Sequence, residues 1–516
     1  MSLHRLAAFA PSVRVAVPRG NYSIPRVGRP RRRFVVLSTM TPTDPGMSAV
    51  LSANRFQTHF SEPTQATPLD IVPKADWDEY VERQTPAQKA WLKAQSNPTS
   101  PTPVPAADAS IDHFVLPVKP GSIDLWRLAA AFSGLPKGNL YWINESADFD
   151  DATIELAWGL TAYAFTKYKK QEDKPEAPTC LVRRTAADSP VRASVDRALQ
   201  ATYMVRDMIS TPAEDFGPRN LEAAVSTLAA QHAARSTSIV GQQLLQHGYP
   251  QVHRVGRAAS TERAPRLIEL TWNESAQRAI TLVGKGVCYD TGGLSLKPTN
   301  SMVTMSKDMG GAAHVLGLAH MIMSAQLDVR LRVLIPAVEN SVSSNSFRPG
   351  DILTARNGTT TLNVNSDAEG RLILADALVA ATEDNPELIV DFATLTGAQR
   401  VALGPDIPGV FCDDDALADQ LYSAGNRMED IVWRLPLHQP YRKLLDTPLA
   451  DIKSCSSGGL GGAITAALYL KEFVGDCTWM HIDLMAYNST SSPGRPEGGE
   501  AMGLRAAFEL IRERFS

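Results

Sequence analysis

Asp367 and Glu369 stand two positions apart in the stretch Asn363-Val-Asn-Ser-Asp-Ala-Glu-Gly-Arg-Leu372, where an extended or turning backbone can aim both carboxylates at one point. Gly370 and the guanidinium of Arg371 follow directly. Upstream, Val283-Gly-Lys-Gly-Val-Cys-Tyr-Asp-Thr-Gly-Gly293 supplies Lys285 and Asp290, and Lys297 and Asp308 come next. Four carboxylates and two lysines in Gly-rich loops are what a pair of hard or borderline divalent cations would need. Any one of these acids, taken singly, reads as a turn former or a solvated loop residue. None of the ten histidines forms an H-E-x-x-H pair, so a metal site here has to be carboxylate-based.

The elements around these residues favour the joint reading. Ala279-Ile-Thr-Leu-Val283 is apolar and β-branched, a strand in prospect, and Lys285 and Asp290 fall just past its end. Leu388-Ile-Val-Asp-Phe392 is a second such run, closing on Thr394-Leu-Thr-Gly397. In parallel α/β sheets, ligands gather in the crevice beyond the carboxyl ends of the strands. Charged residues and glycines clustered there are better explained as a site than as surface decoration.

The stretches 283–299, 306–313, 363–378 and 391–398 closely resemble the leucyl aminopeptidase (cytosol aminopeptidase) family of binuclear metallo-exopeptidases. The octet Asn365-Ser-Asp-Ala-Glu-Gly-Arg-Leu372 matches the family signature with one change, Ser366 in place of threonine, and the likeness covers about residues 200–516. The resemblance implies an α/β fold: a small N-terminal α/β domain joined by a linker helix to a larger catalytic domain with a mixed, largely parallel sheet sandwiched by helices. It implies one metal on Asp290, Asp367 and Glu369 and a second on Lys285, Asp290, Asp308 and Glu369, with zinc or manganese as the ions. The alternative for Lys285 is a charge-balancing ammonium beside the acids. Two bridged cations would make a shared water or hydroxide the nucleophile on the scissile carbonyl. The family's second lysine corresponds to Lys297, an ammonium aimed at the carbonyl oxygen. Its arginine corresponds to Arg371, which would hold a bicarbonate ion bidentately as general base.

The activity so implied is release of N-terminal residues, leucine and other apolar ones preferred, from peptides with a free N-terminus. The side-chain pocket would draw on Met305, Asn365, Thr394, Gly397 and Met485. Here the chain departs from the family: after His481-Ile-Asp483 the usual Ile-Ala-Gly becomes Leu484-Met485-Ala486, so Met485 stands where a small alanine lines the pocket. Met is flexible and can adapt to several apolar side chains. A homohexamer and a cytoplasmic location are further implications. Two other classes stay open, a different binuclear hydrolase such as a phosphoesterase, and a non-catalytic scaffold or DNA-binding relative. Intact ligand positions weigh against the second.

Length and composition agree. A chain of 516 residues suggests two or three domains. With 51 basic and 55 acidic residues, net charge −4, nucleic acid is not an expected partner of the whole molecule. Five scattered cysteines without C-x-x-C spacing fit a reducing compartment better than a disulfide framework. No run of eighteen apolar residues exists, so no membrane span is expected.

Residues 1–45 form a separate leader, with eight arginines before the first acid, Asp44. This composition resembles a mitochondrial transit peptide, or else an untranslated or cleaved leader with Met40 or Met47 as later starts; a nucleic-acid arm ranks last. Residues 46–187 read as the N-terminal α/β domain, 188–211 as the linker helix and 212–516 as the catalytic domain. Within the first, Gln95–Ser110 reads as an exposed Pro-rich loop. Strands are expected at 114–118 and 140–143, and helices at 125–132, 152–166 and 191–210.

Overall fold

The computed structural model describes residues 55–61, 66–95, 100–118, 125–146, 149–170 and 179–516. The Arg-rich leader, and the targeting role expected of it, lie outside the described residues. Two sheets organise the chain. The first is built from β1 (Phe60–Ser61), β2 (Thr67–Pro73), β3 (Thr102–Pro105), β4 (Ile111–Val118), β5 (Leu140–Glu145) and β6 (Cys180–Val182). Their order is β1-β6-β5-β2-β4-β3, parallel throughout except for the β3–β4 pair. The helices Leu125–Ser133 and Asp151–Ala162 bury Leu128, Phe132, Ile154 and Trp158 with Leu69, Ile71, Phe114 and Tyr141 of the strands. Trp158 thus serves the core, its ring 5.2 Å from that of Phe132 in edge contact.

Two readings of this region need correction. Thr102–Pro105 is not an exposed loop but an edge strand on β4, with Thr102 and Val104 buried. Prolines are tolerated there because an edge strand has one side with no ladder to donate to. The helix expected to run to Thr166 stops at Ala162, since Tyr163 turns to extended geometry (φ −61°, ψ 133°). Tyr163 is drawn away by tertiary contacts: its hydroxyl donates to Asp207 at 2.7 Å and its ring meets Tyr203 at 4.8 Å.

The larger sheet carries β7 (Arg235–Val240), β8 (Arg266–Trp272), β9 (Ala279–Gly284), β10 (Gly286–Asp290) and β11 (Arg330–Asn340). A three-stranded ribbon of β12 (Ile352–Thr354), β13 (Thr360–Leu362) and β17 (Ile452–Lys453) lies apart from it. The sheet is completed by β14 (Leu388–Ala393), β15 (Gly409–Cys412), β16 (Trp433–Arg434) and β18 (Trp479–Asp483). The order is β16-β15-β18-β14-β9-β11-β8-β7, with β10 paired to β11, nine strands in all. The centre, β18-β14-β9-β11, is parallel, and the flanks are antiparallel at β15–β18, β11–β8 and β8–β7. β9 and β14 are buried at every position, as strands covered on both faces must be. The helix Gly310–Ser324 covers one face and Glu369–Thr382 the other; each is buried almost all round. Among the described residues no helix is long and apolar enough to cross a membrane.

The two parts meet on the helix Pro190–Ser210. Arg206, fully buried, donates from Nε and Nη2 to the Glu500 carboxylate at 3.0–3.1 Å, from Nη2 to the Gly494 carbonyl at 2.6 Å, and from Nη1 to the Leu160 carbonyl at 3.4 Å. One guanidinium therefore fastens the first part and the C-terminal segment to one helix. Removing Glu500 would strand that charge away from water. Glu500→Ala should cost about 3–5 kcal/mol of stability. Urea unfolding checks this, and an unchanged midpoint would contradict the role given to the pair.

Candidate metal centre

The sheet places the chemistry by ending its strands together. Lys285 follows β9, Asp290 closes β10, Asn340 closes β11 and Thr394 follows β14. Asp308 sits on the one-turn 3-10 helix Met305–Met309, and Asp367 and Glu369 stand at the start of the helix Glu369–Thr382. All lie at the carboxyl ends of parallel strands, the crevice where such sheets gather ligands.

The side chains converge in two lobes. In one, an oxygen from each of Asp290, Asp367 and Glu369 lies within 4.8 Å of the others. Lys297 Nζ reaches Asp290 Oδ2 at 2.8 Å and also contacts Asp367. In the other lobe, Lys285 Nζ is 2.7 Å from Asp308 Oδ2 and 3.1 Å from Glu369 Oε1, and donates to the Thr394 carbonyl at 3.1 Å. Glu369 belongs to both. Burial and then the charge of Asp290 push its carboxyl up to about 8. Burial and Asp290 likewise raise Asp367. Burial works against both lysine ammoniums, yet the carboxylates outweigh it: Asp308 and Glu369 raise Lys285, and Asp290 and Glu369 raise Lys297. Burial opposes the Asp308 carboxylate as well, but Lys285 and Lys307 hold it below its ordinary value.

Concentrating this much negative charge out of water is costly unless cations sit among it. Two observations show the site is shaped for more than its lysines. Glu369 Oε2 is buried with no partner among the described residues. The backbone has also been pared to glycine where the ligands need room. A Cβ on Gly370 would lie 2.5 Å from Lys285 Cε, and one on Gly292, at φ +85°, would lie 2.9 Å from Asp367 Oδ1. Carboxylates with an amine form a donor set that suits zinc or manganese. Asp290, Asp367 and Glu369 fit a divalent ion.

Arg371 lies in the first turn of the Glu369–Thr382 helix. Its Nη1 donates to the Ser454 carbonyl at 2.7 Å, while its buried Nε has no acceptor among the described residues. Of the pocket candidates, Thr394 donates to Asp308 Oδ1 at 2.8 Å. Met485 is buried, with its sulfur 3.3 Å from Arg400 Nη1. Met305 is buried three residues before Asp308, and Gly397 is exposed at the start of its helix. The Asn365 side chain braces the ligand loop, its Oδ1 accepting from the Asp367 amide at 3.0 Å.

Three residues of the site escaped the sequence analysis. Asn340 donates from Nδ2 to Asp290 Oδ1 at 2.8 Å and to the Ser366 carbonyl at 3.0 Å, fixing the ligand and its neighbour loop. Its position as the last residue of an apolar run was the available signal. Ser454 holds Arg371, and nothing local marks it. Lys307 is buried, its nearest carboxylate oxygen Asp308 Oδ1 at 3.9 Å, and burial brings its ammonium down to about 8.

The fold and site are those of a metal-dependent enzyme type, with a carboxylate cluster able to hold an ion at the mouth of a largely parallel sheet. Comparison with known proteins narrows this. Residues 203–508 match the model of the cytosol aminopeptidase family, catalytic domain, and residues 67–181 match the M17 aminopeptidase N-terminal domain. A probable cytosol aminopeptidase of Roseiflexus castenholzii is 37% identical over 366 residues, 69% of this chain and 74% of that protein. One from Caulobacter vibrioides is 34% identical over 414 residues, 77% of this chain and 83% of its own length. Among solved structures, the cytosol aminopeptidase of Coxiella burnetii superposes with a TM-score of 0.82 at 40% identity, covering 89% of this chain and 99% of the other. The bottromycin maturation enzyme BotP in complex with Mn gives 0.78 at 28% identity, covering 88% and 100%. The chain belongs to the cytosol aminopeptidase family, and it is a metal-dependent aminopeptidase of the two-domain α/β kind.

One backbone feature beside the site tests its packing. Ala486 has φ +57°, a left-handed conformation that costs a residue with a Cβ about 1–2 kcal/mol. Ala486→Gly removes that strain, partly offset by the greater freedom of glycine in the unfolded chain. A net gain of about 0.5–1 kcal/mol in thermal or denaturant unfolding is the expected outcome; a loss would mean that the methyl group is needed for packing.

Proposed function

We propose that the chain releases N-terminal residues from peptides with a free amino terminus, using two divalent metal ions, zinc or manganese. The observation that carries this reading is the double lobe in which Glu369 is shared, Asp290 and Asp367 on one side and Lys285 and Asp308 on the other. Asp290, Asp367 and Glu369 would hold one ion, and Lys285, Asp290, Asp308 and Glu369 the second. When bound, such a pair acidifies a shared water into a nucleophile at neutral pH and draws negative charge from a carbonyl. Lys285 enters that set only as a neutral amine; without ions it is the charge-balancing ammonium between Asp308 and Glu369.

The chain's own groups do the rest. Lys297 stays protonated among its carboxylates and offers an N–H to the oxygen on which charge develops. Arg371, tethered by Ser454 and with Nε unsatisfied, suits a planar anion, and bicarbonate held there would act as the general base. Met305, Thr394, Gly397 and Met485 would line the pocket for the N-terminal side chain, with Asn365 shaping the loop beside it. The two methionines give apolar surface for leucine and similar residues. A homohexamer acting in the cytoplasm completes the reading, and light scattering tests the assembly: a fully active species at the mass of one chain would defeat it.

Two experiments bear on the site. Asp290→Ala and Glu369→Ala should each lose bound metal and abolish hydrolysis of leucine amide. Asp308→Ala should weaken one ion only, with activity that excess Mn²⁺ or Zn²⁺ partly restores. Full turnover and full metal content in Asp290→Ala would place the site elsewhere. Lys297→Ala should separate charge stabilisation from metal binding, keeping the metal content of the parent while turnover falls on the order of 10²–10³-fold. Metal loss in that variant would contradict its role.

A further inference from the structure

Arg400 takes no part in the chemistry above. It lies in the short helix Gly397–Leu403, which follows the loop from Thr394. Its Nη1 points at the sulfur of Met485, 3.3 Å away, and a Cβ placed on Gly397 would lie 3.5 Å from its Nη2. The side chain is half-buried, and among the described residues no carboxylate forms an ion pair with it. Several other buried or half-buried arginines of this chain do have a carboxylate partner: Arg266 has Glu222, Arg332 has Glu269 and Arg356 has Glu383. A thioether is a weak acceptor, and a guanidinium carries five N–H donors in a planar fork. Arg400 therefore has unused donors beside the residues expected to receive the substrate's side chain.

A run of contacts leads to it from the metal lobe. Asp308 accepts from the Thr394 hydroxyl. The Thr394 methyl and the Ala486 Cβ both press on Gly310, where an added Cβ would lie 3.0 and 2.5 Å from them. Met485 comes next in the chain, and its sulfur meets Arg400. From the metal lobe the packing thus runs through Thr394, Gly310 and Ala486 to the thioether of Met485 and the Arg400 cation. Lys307, buried beside Asp308 without a hydrogen bond among the described residues, adds a second positive charge to this side. A thioether that ends at a cation suits a side chain with an apolar stem and an anionic tip.

We propose that Arg400 is the carboxylate-binding end of the pocket, so that the enzyme accepts acidic N-terminal residues, glutamate above all, beside apolar ones. The inference rests on the aminopeptidase reading and on the pocket placement given with it. The glutamate stem would pack along Met485 while its carboxylate takes two of the remaining N–H groups of the fork, a bidentate contact that a neutral amide cannot match.

The test compares kcat/KM of the Mn-loaded full chain for N-terminal Glu, Gln, Asp, Lys and Leu on one fluorogenic leaving group. Glu should exceed its near-isostere Gln by about tenfold, the scale of one charged hydrogen-bonded contact. Arg400→Gln should bring that ratio to about one or below, and Arg400→Glu should reverse the preference so that Lys exceeds Glu. Ratios taken within one enzyme cancel differences in folded fraction and metal loading. Product inhibition gives a reading that needs no variant: free glutamate should inhibit release of leucine more strongly than glutamine does. Release of leucine with Glu and Gln equal, a ratio unchanged in Arg400→Gln, or equal inhibition by the two products overturns this inference alone. Failure to release any N-terminal residue overturns the aminopeptidase reading beneath it.

Discussion

Four carboxylates brought together out of water repel one another, and the molecule is arranged to make that arrangement survivable. Lys285 and Lys297 sit between pairs of them, so each ammonium is bound to two acids and each acid finds at least one cation. The attraction holds only because the surrounding backbone leaves no slack. Gly370 lets Lys285 lie against the helix start, and Gly311 allows the helix Gly310–Ser324 to approach β14 so closely that a Cβ there would lie 2.0 Å from the Phe392 carbonyl oxygen. Asn340 pins Asp290 from the next strand end. Charge that must be held fixed dictates glycine and amide at positions far apart in the chain.

Beneath the site a second polar layer runs through the centre of the sheet. Asp391 on β14 accepts from Trp479 Nε1 at 2.7 Å and bonds His481 Nδ1 at 2.6 Å, all three fully buried. Two positions on, Asp483 accepts from the amides of Leu395 and Thr396 and from the Thr396 hydroxyl. The pair on β14 and β18 thus sets the register of the strands, and the next acid on β18 holds the loop that leaves β14. The stretch between Thr394 and Gly397 is anchored in this way, just before the helix that carries Arg400.

Much of this was legible beforehand, for a physical reason. Strands buried on both faces, such as 279–284 and 388–393, read as continuous apolar runs, and charged residues immediately beyond such runs have little purpose except a site. Asp290 was found in that way and Asp367 and Glu369 by their spacing of two, and the three do converge. What escaped notice depends on distance in space alone. Asn340 lies fifty residues from the acid it orients, and Ser454 lies 83 residues from Arg371. The prolines at 103 and 105 misled because loops and edge strands share their composition, and only the neighbour in the sheet tells them apart. Tyr163 ended its helix early for the sake of Asp207, a partner that periodicity cannot reveal.

That edge strand has a bearing on how copies of the chain can meet. β3 is the last strand of the six-stranded sheet, and two of its four residues, Pro103 and Pro105, have no N–H to offer a newcomer. Its pairing with β4 is also irregular between Val104 and Pro105, which bends the border away from the flat ladder another strand would need. Growth by adding strands is disfavoured along this border, so any contact between copies there would be made by side-chain surfaces with their own shape. Contacts of that kind can close on themselves at a definite number of copies where their symmetry allows, whereas an open ladder has no natural end.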